Sequence, residues 1–148
     1  MTQTAQPESN VIPITHRVSI ASPQRFKAHN FAASLQFAIH GLFRILQTER
    51  NFRIHLGLTL LVVSAAAYFQ VSLAEWAILA LCIGLMLAVE ALNTAIEYTV
   101  DLITGGIYHE TAKHAKDAAA GACLLVAIST AIVGACIFLP HLWQQFLH

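Results

Sequence analysis

Three long apolar segments, separated by short polar stretches, dominate the hydrophobic pattern of this chain. They cover residues 54–69, 76–103 and 118–139. The first is just long enough to cross a bilayer as an α-helix, for which about 17 to 25 residues suffice. The second is about 42 Å long as a helix, so it should tilt or project beyond the roughly 30 Å hydrocarbon core. The pattern predicts an all-α membrane protein with three transmembrane helices.

Turn-forming residues set the expected limits of these spans. Residues 70–75 form a brief connection between the first two spans. Gly105 and Gly106 predict the end of the second span, because glycine tolerates the left-handed conformation that helix ends use. Asp117 is suited to capping the start of the third span, and Pro140 predicts its end.

Residues 31–47 show a different pattern, with apolar positions on one side and polar positions largely on the other. This pattern predicts an amphipathic helix in the membrane interface, although a helix packed on a soluble partner would share it. Residues 1–30 are mostly polar and predict a flexible cytoplasmic extension. The membrane domain is therefore expected to cover residues 31–148.

Composition supports a membrane protein, and the basic residues orient it. Only 11% of residues are charged and 57% are hydrophobic, whereas a soluble domain carries about a quarter charged residues. By the positive-inside tendency, the N-terminus and the loop between the last two spans are cytoplasmic, and the C-terminus is outside. The basic residues are Arg17, Arg25, Lys27, Arg44, Arg50, Arg53, Lys113 and Lys116.

The second span carries polar residues where a membrane helix should be apolar. Glu90, Asn93, Glu97 and Asp101 occur at positions i, i+3, i+7 and i+11, which places all four on one helix face. We call them the polar face. Ionisable groups at bilayer depth are costly and usually mark a functional site.

Glu49, Lys116 and Asp117 lie on the same predicted cytoplasmic side and suggest one chemistry for the polar face. Two glutamates with a carboxylate from another helix suit Mg²⁺, and a lysine suits phosphate. A deeper carboxylate can accept a proton from a lipid alcohol, which together describes a lipid kinase. On these grounds alone, proton or cation movement by a non-enzymatic membrane protein is equally compatible. No GxxxxGK[ST] or GxGxxG motif is present.

Three motifs resemble those of the small bacterial integral-membrane diacylglycerol kinase and undecaprenol kinase family. The longest covers residues 90–101, EALNTAIEYTVD, and the others are ERNFRIH at residues 49–55 and AKD at residues 115–117. The resemblance extends over about residues 31–139. It implies ATP-dependent phosphorylation of a membrane lipid alcohol by a homotrimer whose active sites are shared between subunits. It implies no nucleic-acid partner.

Position by position, the resemblance also implies roles. Glu90 matches the general base, and Asn93 matches a polar residue needed at the same site. Glu49 and Glu97 match glutamates that bind Mg²⁺ and, through it, ATP phosphates. The remaining matches are residues of the nucleotide site, of which those at positions 108 and 109 fall in a loop that varies within the family. These residues are Asp101, Tyr108, His109, Lys116 and Asp117.

One position departs from the pattern of the diacylglycerol-specific members and bears on the choice of lipid substrate. His55 stands where diacylglycerol-specific members have an acidic residue, as it does in the undecaprenol kinase-like branch. The resemblance therefore favours a polyprenol substrate modestly and leaves diacylglycerol open.

Structural roles are the alternatives at each position. Glu49 and Glu97 can form ion pairs with Arg50 or Arg53, and Lys116 can anchor its helix at the headgroups. Glu90 and Asn93 can hydrogen-bond between helices, and Asp101 can be a solvated end residue.

Overall fold

Four α-helices make up the described part of the chain in this computed structural model, which describes residues 30–146. They are α1 Phe31–Thr48, α2 Arg50–Tyr68, α3 Leu73–Thr104 and α4 Glu110–Phe146. By length and composition, α2, α3 and α4 can each cross a membrane. The predicted all-α fold with three spans is therefore confirmed. The extension predicted at residues 1–30 lies outside the described residues, apart from Asn30, whose Oδ1 accepts from the Ala33 N–H at 2.8 Å and caps α1.

A single extended residue separates α1 from α2. Glu49, at φ −97° and ψ 117°, follows the last residue of α1 and precedes the first residue of α2. Its N–H donates to the Ile45 carbonyl at 2.8 Å, and its carbonyl accepts from the Arg53 N–H at 3.4 Å. None of the residues of α1 is buried in this chain. The interfacial location of α1 remains a prediction.

The connection before α3 is shorter than expected, because α3 begins at Leu73 rather than near Trp76. Ser72 and Glu75 form a capping box: the Glu75 N–H donates to Ser72 Oγ at 3.3 Å, and the Ser72 N–H donates to Glu75 Oε2 at 2.6 Å. Such a box satisfies two amides that a helix start leaves free, so the polar residues assigned to the loop begin the helix.

The end of α3 agrees with the prediction. Gly105 and Gly106 both have positive φ angles, of 62° and 77°. The Gly106 N–H donates to the Asp101 carbonyl at 3.2 Å, which satisfies one of the free carbonyls at the helix end. The polar face therefore lies on the last turns of one continuous 32-residue helix.

The helix that carries the third predicted span extends beyond both residues expected to limit it. The helix begins at Glu110, so Asp117 lies inside it and does not cap it; instead His109 Nδ1 accepts from the Thr111 N–H at 3.2 Å. Pro140 also lies inside α4, which continues to Phe146. Proline removes one backbone N–H and its ring crowds the carbonyl four residues earlier, which membrane helices tolerate where neighbouring groups satisfy the freed backbone. Beyond Pro140, Gln145 Nε2 donates to the Tyr68 hydroxyl of α2 at 3.1 Å, so the last turns of α4 contact a neighbouring helix.

The helices pack around α3, which contacts α4 most extensively and α2 less. A small apolar core lies at the end of the bundle where α2 turns into α3. We define it by its buried residues, Ala66, Val71, Leu79 and Ile137. Most other large apolar side chains are exposed on this chain, as expected of helices that face lipid or other helices.

Candidate functional site

Burial decreases steadily along the polar face of α3. Glu90 is 4% exposed and Asn93 9%, Glu97 is half-buried, and the side chain of Asp101 is 53% exposed. The polar face is therefore a strip of graded burial, called the polar strip below. Glu90 lies among packed helices at one end, and Asp101 reaches the surface at the other.

Asn93 is hydrogen-bonded to one of the two glutamates of this strip, Glu97. Its Nδ2 donates to Glu97 Oε1 at 3.0 Å, which orients that carboxylate. Its Oδ1 is buried and has no hydrogen-bond partner among residues 30–146. Thr94, which sequence analysis missed, is 2% exposed and donates its hydroxyl to the Glu90 carbonyl at 3.2 Å. The strip thus contains a buried acceptor that its own helix does not satisfy.

Glu49 reaches α3 through a tyrosine that sequence analysis did not single out. The Tyr98 hydroxyl donates to Glu49 Oε1 at 2.7 Å and lies 3.0 Å from Thr48 Oγ1. Tyr98 directly follows Glu97, so this contact brings the α1–α2 corner to the same turn of α3 as Glu97. Its position inside the longest motif is the only sequence signal that could have identified it.

An ion pair connects α3 to α4 at the exposed end of the strip. Lys116 Nζ donates to Asp101 Oδ1 at 2.6 Å. One turn away on α4, Lys113 pairs with Asp117. The structure therefore brings Lys116 to the polar face and gives Asp101 a specific partner there.

The alternative ion pairs of the glutamates are not formed within residues 30–146. Neither Glu49 nor Glu97 makes a salt bridge to Arg50 or Arg53 in this part of the chain. Arg53 Nη1 instead donates to the Gln47 carbonyl at 2.9 Å. Both glutamates thus lack a competing cation in the described residues.

The available oxygen ligands fit a divalent cation only in part. Within residues 30–146, no group of three His, Cys, Asp or Glu residues is placed to hold a metal ion. Glu49 and Glu97 each receive one hydrogen bond on one carboxylate oxygen, from Tyr98 and Asn93. Two hard carboxylates suit Mg²⁺, which commonly takes one or two carboxylates and completes its shell with substrate phosphates and water. The donor set fits Mg²⁺ delivered together with a nucleotide.

Tyr108 and His109 are exposed and lie beyond the end of α3. Together with residues of α3 and α4 they line a cavity of about 510 Å³. Ala115, which precedes Lys116, lines the same cavity. The structure thus brings these two loop residues near the Lys116 end of the site, although they are not part of the polar face. The other lining residues are Val100, Ile103, Thr104, Ile107, Thr111 and Ala112.

A second, mostly apolar cavity of about 330 Å³ lies between α2, α3 and α4. His55 lines it from α2, and Met86 lines it from α3, one helical turn before Glu90. His55 is half-buried, and its neighbours Leu58 and Val62 continue the wall. The residue that departs from the diacylglycerol-specific pattern therefore faces an apolar space close to Glu90.

These features define a class of protein: a membrane protein of three spanning helices with a carboxylate-rich site on one helix. Residues 36–138 match the family model of prokaryotic diacylglycerol kinase. The chain belongs to the prokaryotic diacylglycerol kinase family, as the three motifs predicted.

Individual relatives cover most of the chain. A diacylglycerol kinase of Synechocystis sp. is 46% identical over 115 residues, 78% of this chain and 66% of that protein. An undecaprenol kinase of Bacillus subtilis is 44% identical over 118 residues, 80% of this chain and 95% of that protein. A diacylglycerol kinase of Escherichia coli is 38% identical over 98 residues, 66% of this chain and 76% of that protein.

These relatives are phosphotransferases that have an alcohol group as acceptor, and the chain is an enzyme of this class. Membership therefore decides between the two interpretations of the polar face that spacing left open, in favour of a kinase. The relatives carry two different lipid names at nearly equal identity, so similarity does not decide the lipid.

Proposed function

We propose that this protein is an ATP- and Mg²⁺-dependent lipid kinase of the bacterial inner membrane. It phosphorylates the hydroxyl of a membrane lipid alcohol, undecaprenol or diacylglycerol, to the monophosphate. The observation that carries this proposal is the graded polar strip of α3, which runs from buried Glu90 to the Asp101–Lys116 pair. One end of such a strip lies within the bilayer, where a lipid hydroxyl can reach it, and the other end lies at the aqueous surface, where nucleotide binds.

Glu90 is the general base at the buried end. It accepts the proton of the lipid hydroxyl as the hydroxyl oxygen attacks the γ-phosphorus of ATP, while the bond from that phosphorus to the bridging oxygen breaks and ADP leaves. Asn93 lies one turn away on the same face, and its buried Oδ1 is a free hydrogen-bond acceptor among residues 30–146. The orphaned acceptor supports a polar ligand at this depth, because buried polar atoms are rarely left unpaired.

Glu49 and Glu97 hold Mg²⁺·ATP in the middle of the strip. When bound, Mg²⁺ neutralises negative charge on the phosphates. Tyr98 and Asn93 each fix one of these carboxylates, which limits the entropy lost when the cation binds. Catalysis then consists mainly of positioning and charge neutralisation, as phosphoryl transfer generally requires.

Lys116 provides the cation that faces the phosphates. It pairs with Asp101, which holds its ammonium at the polar face. Asp117, on the same helix, contacts the nucleotide, as do Tyr108 and His109 from the cavity beyond α3. The nucleotide thus lies across the cytoplasmic ends of α3 and α4.

The remaining parts of the proposal are the orientation of the chain and its assembly. The N-terminus and the α3–α4 loop are cytoplasmic, where ATP is available, and the C-terminus is outside. The protein assembles as a homotrimer with active sites shared between subunits. The many exposed apolar side chains of α2, α3 and α4 are compatible with packing against other copies.

Phosphate transfer from labelled ATP to separate lipid alcohols tests the proposal. The purified protein is incubated with Mg²⁺ and either undecaprenol or diacylglycerol, with the Glu90→Gln variant as the control for contaminating kinases. We expect labelled lipid monophosphate only with the unaltered protein. No transfer to either lipid would contradict the proposed function.

The same assay tests whether His55 affects the preference between the two lipids. If the wall of the apolar cavity contributes to specificity, His55→Glu lowers the ratio of undecaprenol to diacylglycerol phosphorylation. His114→Glu, at an exposed position of α4, is the matched control. An unchanged ratio in His55→Glu would remove this residue from lipid selection.

A further inference from the structure

We propose that Tyr98 is a positioning residue for Glu49, so that its hydroxyl fixes one carboxylate oxygen and leaves the other to the cation. This inference rests on the proposed function of Glu49 as a ligand of Mg²⁺·ATP. It adds a residue to which the family resemblance assigned no role.

The backbone at Glu49 makes an external support necessary. Glu49 is the only non-helical residue between α1 and α2, and its side chain makes no capping hydrogen bond to α2. Its carboxylate is therefore not held by the local chain. A glutamate side chain with several free rotamers loses conformational entropy when it binds a ligand, unless another group has already fixed it.

Tyr98 provides that support from α3. Its hydroxyl donates to Glu49 Oε1 at 2.7 Å, a distance typical of a short hydroxyl-to-carboxylate hydrogen bond. A phenol has only one proton, so the contact with Thr48 Oγ1 at 3.0 Å requires Thr48 to be the donor when Tyr98 donates to Glu49. Thr48 can also donate to the Arg44 carbonyl at 3.1 Å, which makes the bond to Glu49 the better defined of the Tyr98 contacts.

The location of the contact gives it a function beyond joining helices. Tyr98 follows Glu97, the second proposed cation ligand, so the same turn of α3 carries one ligand and orients the other. Asn93 orients Glu97 in the same way, by donating to Oε1 at 3.0 Å. Each proposed ligand is thus restrained on one oxygen by a neutral donor from α3.

Tyr98→Phe removes the hydroxyl and keeps the ring. Loss of a hydrogen bond to a charged group that is partly exposed to solvent predicts about three- to tenfold weaker cation binding. The direct measurement is Mn²⁺ binding by electron paramagnetic resonance in the presence of a non-hydrolysable ATP analogue. In the kinase assay, the Mg²⁺ concentration for half-maximal rate should rise by the same factor, with kcat at saturating Mg²⁺ within about twofold of the unaltered protein.

Tyr68→Phe is the matched control. Its hydroxyl also makes one interhelical hydrogen bond, to Gln145, but it lies at the opposite end of α2 from Glu49. We expect unchanged Mn²⁺ binding in this variant. A similar loss in both variants would show a general effect of removing a tyrosine hydroxyl and would overturn the inference.

The pair Glu49→Gln and Glu49→Gln/Tyr98→Phe separates this inference from the proposed function. If Tyr98 acts through Glu49, the double variant binds Mn²⁺ no more weakly than Glu49→Gln alone. If Glu49→Gln weakens binding and Tyr98→Phe does not, only the inference fails. If Glu49→Gln itself leaves binding unchanged, the proposed metal role of Glu49 fails, and the role of Tyr98 fails with it.

Discussion

The two ends of α3 make contrasting use of the same helix. Towards its start, Leu79 packs with Ala66, Val71 and Ile137 in the small apolar core, and Ser72 caps the helix through side-chain and backbone hydrogen bonds. Towards its end, the buried positions are polar, namely Glu90, Asn93 and Thr94. One end therefore contributes packing, and the other buries groups that cost free energy unless a ligand or partner satisfies them.

This difference shows how a small membrane enzyme can separate stability from chemistry. The apolar core joins α2, α3 and α4 near the start of α3, whereas Glu90, the buried charged residue among residues 30–146, lies towards the other end. The polar strip depends instead on a few directed contacts, such as Tyr98 to Glu49 and Lys116 to Asp101. Changes at the first end should affect unfolding, and changes at the second should affect binding or turnover.

Glu90→Gln should have the largest effect. The amide keeps the size of the side chain and removes the base, so turnover should fall by about 10²- to 10⁴-fold with little change in nucleotide affinity. Phosphate transfer and binding of a non-hydrolysable ATP analogue measure the two quantities separately. Near-normal turnover would end the assignment of Glu90 as the base.

Glu97→Ala should weaken Mg²⁺·ATP binding by about tenfold or more, because it removes one of two proposed cation ligands. A titration with the ATP analogue at several Mg²⁺ concentrations measures this effect. Glu75→Gln is the control, since glutamine also serves in a capping box and Glu75 lies at the other end of α3. Unchanged nucleotide affinity in Glu97→Ala would contradict the metal role.

Leu79→Ala should destabilise the protein by about 2 kcal/mol, because it removes packing contacts from a side chain that is only 3% exposed. Thermal unfolding in detergent measures the loss, and the affinity for the ATP analogue below the transition should be unchanged. Leu81→Ala, at a position 74% exposed, is the matched control. Equal destabilisation by both variants would show that the defined core does not hold the helices.

Ser72→Ala should have the smallest effect, a destabilisation of about 1 kcal/mol from the lost N-cap. Ser72→Asp retains a capping oxygen and should recover most of the stability. Neither variant should change the Mg²⁺ dependence of phosphate transfer. A change in that dependence would show that the two ends of α3 are coupled.

The sequence predicted most of the architecture because apolar length and helical spacing are local properties. Three long apolar segments were enough to place α2, α3 and α4, and the 3.6-residue period placed Glu90, Asn93, Glu97 and Asp101 on one face. Gly105 marked the end of α3 correctly, since its left-handed conformation is a property of a single residue.

Helix limits were less predictable where competing signals depend on surroundings. Pro140 was expected to end the last helix, yet α4 continues beyond it and contacts α2 through Gln145. Asp117 was expected to cap α4, but the helix starts at Glu110 and His109 supplies the capping contact. At the start of α4, a second local signal, the His109 cap, lies ahead of Asp117 and takes its place. At Pro140, a single proline does not end a helix whose later turns contact α2.

By itself, the sequence determined the class of fold, the family and the residue types available to the site. Only the tertiary structure decided how the polar strip is held, because Tyr98 and Glu49 are far apart along the chain and meet across two helices. The same is true of Lys116 and Asp101, and of the burial that distinguishes Glu90 from Asp101. Spacing along a helix fixes which side chains share a face, whereas their partners and exposure depend on the helices packed against that face.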